Sequence, residues 1–192
     1  MMSIFVTDND HYKTVSSIFL NGMIQFSLGC DSSSSGSYFA CSFRTSNNFG
    51  WYQFSGNQRI YMPSYGYSLI VRNNDEDSAT PVDNQYTLYR FQNWRKDLLG
   101  TMDIPAPIGS TDNIKILIGK NDIRIKIWDS IAEEPESWSL TVMDSPDYYN
   151  IPGHVAFAVS EPRVDATPSN TEWELYGIDI KYYPPTDNRV GY

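Results

Sequence analysis

Apolar and polar residues alternate along most of this chain, and that alternation constrains the fold more than any other feature of the sequence. The pattern is clearest in Ile114-Lys-Ile-Leu-Ile118 and Ile123-Arg-Ile-Lys-Ile-Trp128, which are joined by Gly119-Lys-Asn-Asp122. Successive side chains of a β-strand point to opposite faces, so the isoleucines of the second segment share one face. The two segments therefore predict a β-hairpin whose isoleucines face a core, while Arg124, a lysine and Trp128 occupy the other face.

Ten segments of the chain alternate in this way, and clusters of Gly, Pro, Asn, Asp and Ser separate them. The predicted strands are Met23–Leu28, Tyr38–Arg44, Gly50–Phe54, Tyr67–Arg72, Gln85–Gln92, Asn113–Ile118, Ile123–Trp128, Trp138–Val142, Gly153–Val159 and Glu172–Tyr182. A turn of helix is predicted at Ile131–Glu136. So many strands without interleaved helices predict an all-β fold, either a sandwich or a closed barrel.

Length and composition favour one globular domain. A chain of 192 residues is long enough to form a core without disulfides, because it buries roughly 70% of the surface that its unfolded form exposes. Hydrophobic residues make up 41% of the chain and charged residues 19%, a balance that argues against disorder. No internal repeat or long linker divides the sequence, so we expect one β-sandwich domain over residues 1–183 and an extended tail or linker over 184–192.

The two cysteines, Cys30 and Cys41, flank the segment Asp31–Ser37. A hairpin centred on this segment would place Cys30 opposite Tyr38 or its neighbour rather than opposite Cys41. We therefore predict free thiols and infer no cellular compartment from them.

The charge and hydropathy of the chain argue against two classes of partner. Its formal net charge is −9 and its lysines and arginines are scattered, whereas a phosphate-binding protein carries a dense basic surface. No stretch approaches the roughly 20 apolar residues of a membrane span. We therefore predict neither nucleic-acid binding nor membrane insertion. The N-terminal residues lack the pattern of a signal peptide, so the protein is expected either to act without export by that route or to begin after a leader.

Metal-binding and catalytic motifs are weak. The loop Asn73–Asp77 is rich in oxygen ligands, which leaves calcium as an open alternative, but it lacks the helix–loop–helix calcium pattern and no cofactor is predicted. Glu174 and Asp179 are five positions apart, which on a regular strand places them on opposite faces and excludes a glycosidase pair. Asp144 and Asp147 lie near a strand end and keep a hydrolase as an alternative. The two histidines have no nearby triad partner or metal-ligand spacing.

An ordered series of strand motifs runs through the second half of the sequence. Its segments are Ile123–Asp129, the acidic loop Ala132–Ser137, Trp138–Ser145, Gly153–Phe157 and Trp173–Ile180. In the first half, Phe43-Arg44 is followed by Gly50-Trp-Tyr-Gln-Phe54. Together these segments, from roughly residue 20 to residue 182, resemble the concanavalin A-like lectin/glucanase superfamily, especially its laminin G-like members.

That resemblance implies a jelly-roll sandwich of two antiparallel sheets, with glycans bound on a concave face or at its rim loops. It also implies that Trp138 and Trp173 enter the core, because they begin packing strands of the family. Since the same architecture occurs in lectins, hydrolases, lyases and structural modules, function has to be argued from the site.

Aromatic residues make up 15% of the chain, and glycan sites combine exposed rings with polar side chains on a rigid sheet. Rings pack on the C–H faces of sugars, while arginine donates to their hydroxyls. Arg44 and Arg72 alternate away from apolar neighbours, so both are expected to lie off the core face. The candidate binding residues, with Trp94 behind them, are Arg44, Trp51, Tyr52, Tyr67, Arg72, Arg124, Trp128, Tyr148 and Tyr149.

The leading hypothesis is a non-catalytic module that binds a polysaccharide or cell-surface glycan. The missing signal-peptide pattern and the many Asn, Ser and Tyr residues further suggest a part of a phage virion, on a tail or baseplate among other virion proteins, that holds host saccharide. A structural or protein-interaction domain of a particle is the first alternative. A glycoside hydrolase or lyase of the same fold is the second.

Overall fold

The structure is a computed structural model that describes residues 12–14, 21–30, 38–46, 48–53, 59–72, 83–105, 111–119, 122–144, 152–160 and 173–183. The regular secondary structure in these ranges consists of strands. The described residues include no helix that could span a membrane. The strands are β1 (Tyr12–Thr14), β2 (Gly22–Cys30), β3 (Tyr38–Thr45), β4 (Phe49–Gln53), β5 (Arg59–Pro63), β6 (Tyr65–Arg72), β7 (Asp83–Gln92), β8 (Arg95–Pro105), β9 (Thr111–Ile118), β10 (Asp122–Asp129), β11 (Leu140–Met143), β12 (His154–Val159) and β13 (Trp173–Tyr182).

Two antiparallel sheets pack as a sandwich, which confirms the predicted fold class. The six-stranded sheet has the order β1-β12-β3-β6-β7-β8, and the five-stranded sheet has the order β11-β10-β9-β2-β13. Strands β4 and β5 pair separately as a short hairpin. The core lies between the two large sheets and draws apolar side chains from both.

The isoleucine hairpin is formed as the sequence predicts. Strands β9 and β10 pair Ile116 with Ile125 and Ile114 with Ile127. All four side chains are buried in the core that the two sheets share. Burying a side chain of this size stabilises a fold by about 1.5–3 kcal/mol, so the repeated isoleucines are a large part of what holds the sandwich together.

The sequence misses β1, β5 and β8, each for a local reason. Strand β1 has three residues, and β5 is short and ends at Pro63. Strand β8 begins with charged residues, and a register shift opposite Leu88 and Tyr89 interrupts its alternation near Gly100. The predicted turn of helix at Ile131–Glu136 is wrong, since that segment forms turns and an irregular loop.

The prediction that Arg44 leaves the core face is also wrong. Its positive φ of 50° interrupts the alternation of β3, and the side chain is 2% exposed. The Nη2 atom donates to Asn21 Oδ1 at 2.8 Å and to the Gly119 carbonyl oxygen at 3.0 Å. These two residues adjoin β2 and β9, so Arg44 ties the end of the six-stranded sheet to the five-stranded sheet.

Of the two tryptophans expected in the core, Trp173 alone is there. Trp173 is half-buried against the core, with its ring centroid 5.8 Å from that of Phe39. Trp138 instead lies on the outer face of the five-stranded sheet, where its ring centroid is 4.8 Å from Lys126 Nζ. The predicted packing role is therefore confirmed for Trp173 and wrong for Trp138.

Cys41 is a free thiol buried in the core, as predicted, but the geometry assumed for it is wrong. Cys30 in β2 and Cys41 in β3 lie in different sheets and do not flank a hairpin. Burial raises the pKa of the Cys41 thiol far above its usual value. Because the reactive form of cysteine is the thiolate, the native thiol is inert.

We expect the folded Cys30→Ser variant to show no thiol reaction with Ellman's reagent. The same variant in concentrated urea should react at Cys41, because unfolding restores an ordinary thiol pKa and access to the reagent. Absorbance of the released chromophore measures both states. Rapid reaction of the folded variant would contradict the burial of Cys41.

Candidate functional site

The β4–β5 hairpin lies on the outer face of the six-stranded sheet. Ile60 and Met62 of β5 are fully buried there, in a second apolar cluster with side chains from β3, β6, β7 and β12. An isolated bridge between Ile60 and Ser160 ties β5 to the end of β12. Beyond the hairpin, Leu98 and Thr101 of β8 are exposed, so this face is open on its β8 side.

Two tyrosines and a lysine meet where the hairpin borders that open side. Lys96 Nζ lies 5.1 Å from the ring centroid of Tyr52 on β4 and 5.0 Å from that of Tyr89 on β7. The Tyr52 ring is edge-on to Phe91, with 5.7 Å between centroids, and the exposed Leu98 pairs with Tyr89 across the strands. Tyr52, Tyr89 and Lys96 are called the tyrosine–lysine cluster below.

Burial changes the ionisation of every member of the tyrosine–lysine cluster. It lowers the pKa of Lys96 and raises the pKa of Tyr52. It also raises the pKa of Tyr89, with further contributions from Tyr52 and Tyr38. The cluster is therefore partly removed from water. Polar contacts in such a partly buried environment are stronger than polar contacts at an open surface.

The same face continues to Arg72 at the far end of β6. The Arg72 guanidinium lies 6.0 Å from the ring centroid of Tyr38, and Arg72 pairs across the strands with Gln85. On β7, Gln85 and Phe91 are separated by about 20 Å at the usual rise of a strand. The face therefore has the length for an extended ligand with several units.

The opposite side of the β4–β5 hairpin carries Trp51. Its ring centroid lies 4.0 Å from that of Tyr61, and Gln53 pairs with Arg59 beside them. Trp51, Gln53 and Arg59 are exposed. Trp51 and Tyr52 are neighbours in sequence, but because strand residues alternate, they lie on different sides of the hairpin.

Tyr89 and Lys96 are absent from the binding residues that the sequence predicts. Both depend on the β7–β8 hairpin, whose turn residues Asn93 and Trp94 have positive φ values of 49° and 65°. Asn at the first position of a two-residue turn favours a hairpin and was the signal for β8. The break in alternation at Gly100 obscured the strand pattern of β8 in the sequence.

An acidic loop covers the outer face of the five-stranded sheet, which carries Arg124 and Trp128. Glu134 accepts hydrogen bonds from Lys115 at 2.9 Å and from Lys126 at 3.1 Å. The Lys115 ammonium holds the pKa of that carboxyl below its usual value. Arg124 forms an ion pair with the aspartate that begins β10. Arg124 and Trp128 thus lie on the opposite side of the sandwich from the tyrosine–lysine cluster.

Tyr67 and Asp144 belong to a network at one end of the sandwich. Tyr67 is 1% exposed and stacks on Phe43, so it does not reach the surface predicted for it. Its hydroxyl donates to Asp144 Oδ2 at 2.9 Å, and Arg90 Nη1 donates to Oδ1 at 2.5 Å. Both carboxylate oxygens of Asp144 therefore take part in contacts that join the two sheets.

The two acids of β13 share one face, contrary to the prediction. A bulge at Gly177, whose φ is 59°, shifts the register so that Glu174 pairs with Gly29 and Asp179 with Gln25. These partners are four residues apart on β2, which separates the acids by about 13 Å along the strand. The ground on which the sequence excluded a glycosidase pair, opposite faces of a regular strand, is therefore wrong.

Several predicted features fall outside the described residues, namely the calcium loop Asn73–Asp77, the acid Asp147, the rim residues Tyr148 and Tyr149, and the tail 184–192. Within the described part of the chain, no group of three His, Cys, Asp or Glu side chains could hold a metal ion.

Comparison with known proteins finds similar structures but no similar sequences. No protein-family profile and no curated protein matches the chain. The carbohydrate-binding module CBM66 from Bacillus subtilis has 11% identity and a TM-score of 0.55, and the match covers 88% of this chain and 80% of that one. The Caenorhabditis elegans galectin LEC-6 has 9% identity and a TM-score of 0.50, with 94% and 96% covered.

A third similar structure is the CBM2 module of the evolved Dit of Lactobacillus casei BL23 phage J-1. It has 12% identity and a TM-score of 0.51, and the match covers 94% of this chain and 69% of that one. At such low identity, the three matches establish the fold alone. The chain has a lectin-like jelly-roll fold, as the sequence predicts, of the kind seen in carbohydrate-binding modules and galectins.

Proposed function

We propose that this chain is a non-catalytic carbohydrate-binding domain that holds a glycan on the outer face of the six-stranded sheet. The tyrosine–lysine cluster is the observation that carries the proposal. The Tyr52 and Tyr89 rings offer apolar surface to the C–H faces of a sugar, and Lys96 offers donors to its oxygens. The fold supports the proposal, since the similar structures include two carbohydrate-binding modules and a galectin.

Two of the residues predicted from the sequence, Tyr52 and Arg72, belong to this proposed site. Trp51 lies on the other side of the hairpin, so its exposed ring is a separate candidate contact for a glycan. Arg44 is buried between the sheets and serves the fold. Arg124 and Trp128 form a separate candidate surface on the five-stranded sheet.

A glycan-array screen of the purified chain tests the proposal, with Tyr52→Ala and Tyr89→Ala variants beside it. A central aromatic ring contributes roughly 1.5–3 kcal/mol to a binding site. We therefore expect each variant to lose affinity by about tenfold to a hundredfold. Tyr176→Ala removes an exposed tyrosine of β13 and is the matched control, which should bind like the unchanged protein. Circular dichroism checks that every variant is folded.

The other outcomes point to specific alternatives. Loss of binding in Trp128→Ala, with Tyr52→Ala and Tyr89→Ala unaffected, would move the site to the five-stranded sheet. No binding to any glycan would contradict the proposal and favour the structural, protein-interaction alternative. Product formation from a bound polysaccharide would favour the hydrolase alternative.

We further propose that the domain is carried by a phage virion, on a tail or baseplate, where it binds host cell-wall saccharide. The likeness to the module of phage J-1 supports this step. Peptides of the chain should be found by mass spectrometry in purified particles. Native gene neighbours that are not virion genes would contradict the proposal.

A further inference from the structure

A cavity of about 520 Å³ lies at the tip of the β7–β8 hairpin, within the roughly 300–1,000 Å³ typical of small-ligand sites. Phe91 and Lys96 pair across these strands and contact Tyr52 on the outer face of the sheet. Because strand residues alternate, Gln92, Arg95 and Asp97 point to the opposite face. The described residues that line the cavity are Gln92, Asn93, Arg95 and Asp97. The cavity is therefore separate from the tyrosine–lysine cluster.

Contacts with other strands fix the tip of this hairpin. The Tyr65 hydroxyl donates to Asn93 Oδ1 at 2.5 Å, and the Trp94 backbone nitrogen donates to the Ser64 carbonyl oxygen at 3.3 Å. The Trp94 ring lies directly against Gly50 of β4, where an added Cβ would be 2.6 Å from ring atom Cη2. These contacts hold Trp94 at a φ of 65°, which a bulky residue rarely adopts. The wall of the cavity is thus positioned before a ligand arrives, which lowers the entropic cost of binding.

The charges around the cavity balance among the described side chains. Arg90 Nη2 donates to Asp97 Oδ2 at 2.7 Å, and the same guanidinium forms an ion pair with Asp144 at the end of the sandwich. Arg95 adds a second positive charge, so two arginines face two aspartates. Because these formal charges cancel, no net local charge favours an ionic ligand.

The polar groups left for a ligand include both donors and acceptors. Within the described part of the chain, no hydrogen bond or ion pair involves the Arg95 guanidinium, which carries five N–H donors. Asn93 uses Oδ1 for Tyr65 and keeps its amide N–H groups, while Asp97 keeps its second carboxylate oxygen. Hydroxyl groups donate and accept at once, and hydrogen bonds to charged side chains are the stronger ones. Neighbouring hydroxyls of a sugar ring therefore match this set of groups.

We infer that the cavity at the tip of the β7–β8 hairpin is a second saccharide site, which binds a neutral sugar unit through its hydroxyls. Arg95 and Asn93 donate to the sugar oxygens, and Asp97 accepts from a hydroxyl. The inference goes beyond the proposed function, because this site lies on the opposite face of β7 and β8 from the tyrosine–lysine cluster. A domain with both sites can hold two parts of a glycan, and the first contact raises the effective concentration for the second.

The experiment is an NMR titration of the ¹⁵N-labelled full chain with the methyl glycosides of glucose, galactose and mannose, each added separately. The Arg95 Nε–H signal and the Asn93 side-chain amide signals report on the cavity itself. We expect at least one glycoside to shift both sets of signals in a saturable way. The same glycoside with every hydroxyl methylated should shift neither, because it offers no donor to Asp97.

Variants of the cavity test the assigned contacts. Arg95→Gln and Asp97→Asn should each weaken the affinity for that glycoside by at least about tenfold, since each loses a charged hydrogen-bond partner. The Asn93 side-chain signals measure both affinities. Lys181→Gln removes the same charge as Arg95→Gln from an exposed lysine of β13 and is the matched control, which should bind the glycoside as the unchanged chain does. Backbone amide spectra check that every variant is folded.

The location of the shifts separates this inference from the proposed function. Shifts confined to Tyr52, Tyr89 and Lys96 would overturn the inference and leave the proposed function intact, which the glycan array tests independently. Absence of a saturable shift at Arg95 and Asn93 with all three glycosides would also overturn it. So would a shift of Arg95 with inorganic phosphate alone, because that result would show an anion site. Unchanged glycoside affinity in folded Arg95→Gln and Asp97→Asn would likewise contradict the assigned contacts.

Discussion

Replacement of Gly153 by alanine is expected to destabilise the folded protein by at least about 3 kcal/mol. A Cβ atom at this position would lie 2.3 Å from the carbonyl carbon of Arg44, 2.4 Å from the backbone nitrogen of Thr45 and 2.6 Å from its oxygen. Because these are main-chain atoms, no side-chain rotation relieves the clash. The added methyl group would force β12 away from β3, its neighbour in the six-stranded sheet.

The cause of this tight contact is the bend in β3. Arg44 has a positive φ, and the chain there runs close to the strands on both sides. On the β6 side, a Cβ on Gly66 would lie 2.6 Å from the Arg44 carbonyl oxygen. Two glycines therefore enclose the bend, Gly153 immediately before β12 and Gly66 in β6.

Urea denaturation followed by circular dichroism measures the effect of Gly153→Ala. Gly177→Ala is the matched control, because its φ of 59° also disfavours alanine but nothing lies within 4 Å of the added Cβ. The control should lose about 1–2 kcal/mol. Equal unfolding midpoints for the two variants would contradict the close approach of Gly153 to β3.

The second large effect is expected for Arg44→Met, which should lose about 2–4 kcal/mol of stability. Methionine keeps much of the apolar stem but leaves Asn21 Oδ1 and the Gly119 carbonyl oxygen without the donor that Arg44 supplies. Both acceptors lie in buried residues, where a lost hydrogen bond is costly. The link between the two sheets is lost with the guanidinium group.

Arg124→Met is the matched control for Arg44→Met. Arg124 forms its ion pair on an outer face, so its loss should cost less than about 1 kcal/mol. Thermal and urea unfolding of both variants provide the comparison. If Arg44→Met were no less stable than Arg124→Met, the contacts of Arg44 with Asn21 and Gly119 would contribute little to the fold.

The proposed binding site shows which binding residues can be predicted from the local sequence pattern. Arg72 could be predicted, because it alternates with apolar residues of its strand and points away from the core, and Tyr52 could be predicted as an aromatic ring on a strand. The same alternation argument fails for Arg44, which is buried. Lys96 could not be predicted, because its place in the proposed site depends on the rings of Tyr52 and Tyr89, which come from other strands. Alternation also places Trp51 and Tyr52 on opposite sides of their strand, but it does not predict which of the two side chains packs on the six-stranded sheet.

The sequence by itself determined most of the strands, the isoleucine core and the all-β class. Period-two alternation is a local property, so each segment carries its own signal wherever it lies in the fold. The paired isoleucines of β9 and β10 are the clearest case, since their register follows from the short loop between them.

The tertiary structure alone decided which surfaces are open. The β4–β5 hairpin covers part of one sheet, and the loop containing Glu134 covers part of the other. The inward turn of Arg44 and the bulge at Gly177 reverse faces that strict alternation predicts. Such features depend on contacts between residues distant in the chain, which leave no period in the sequence, and they decide where a ligand can bind.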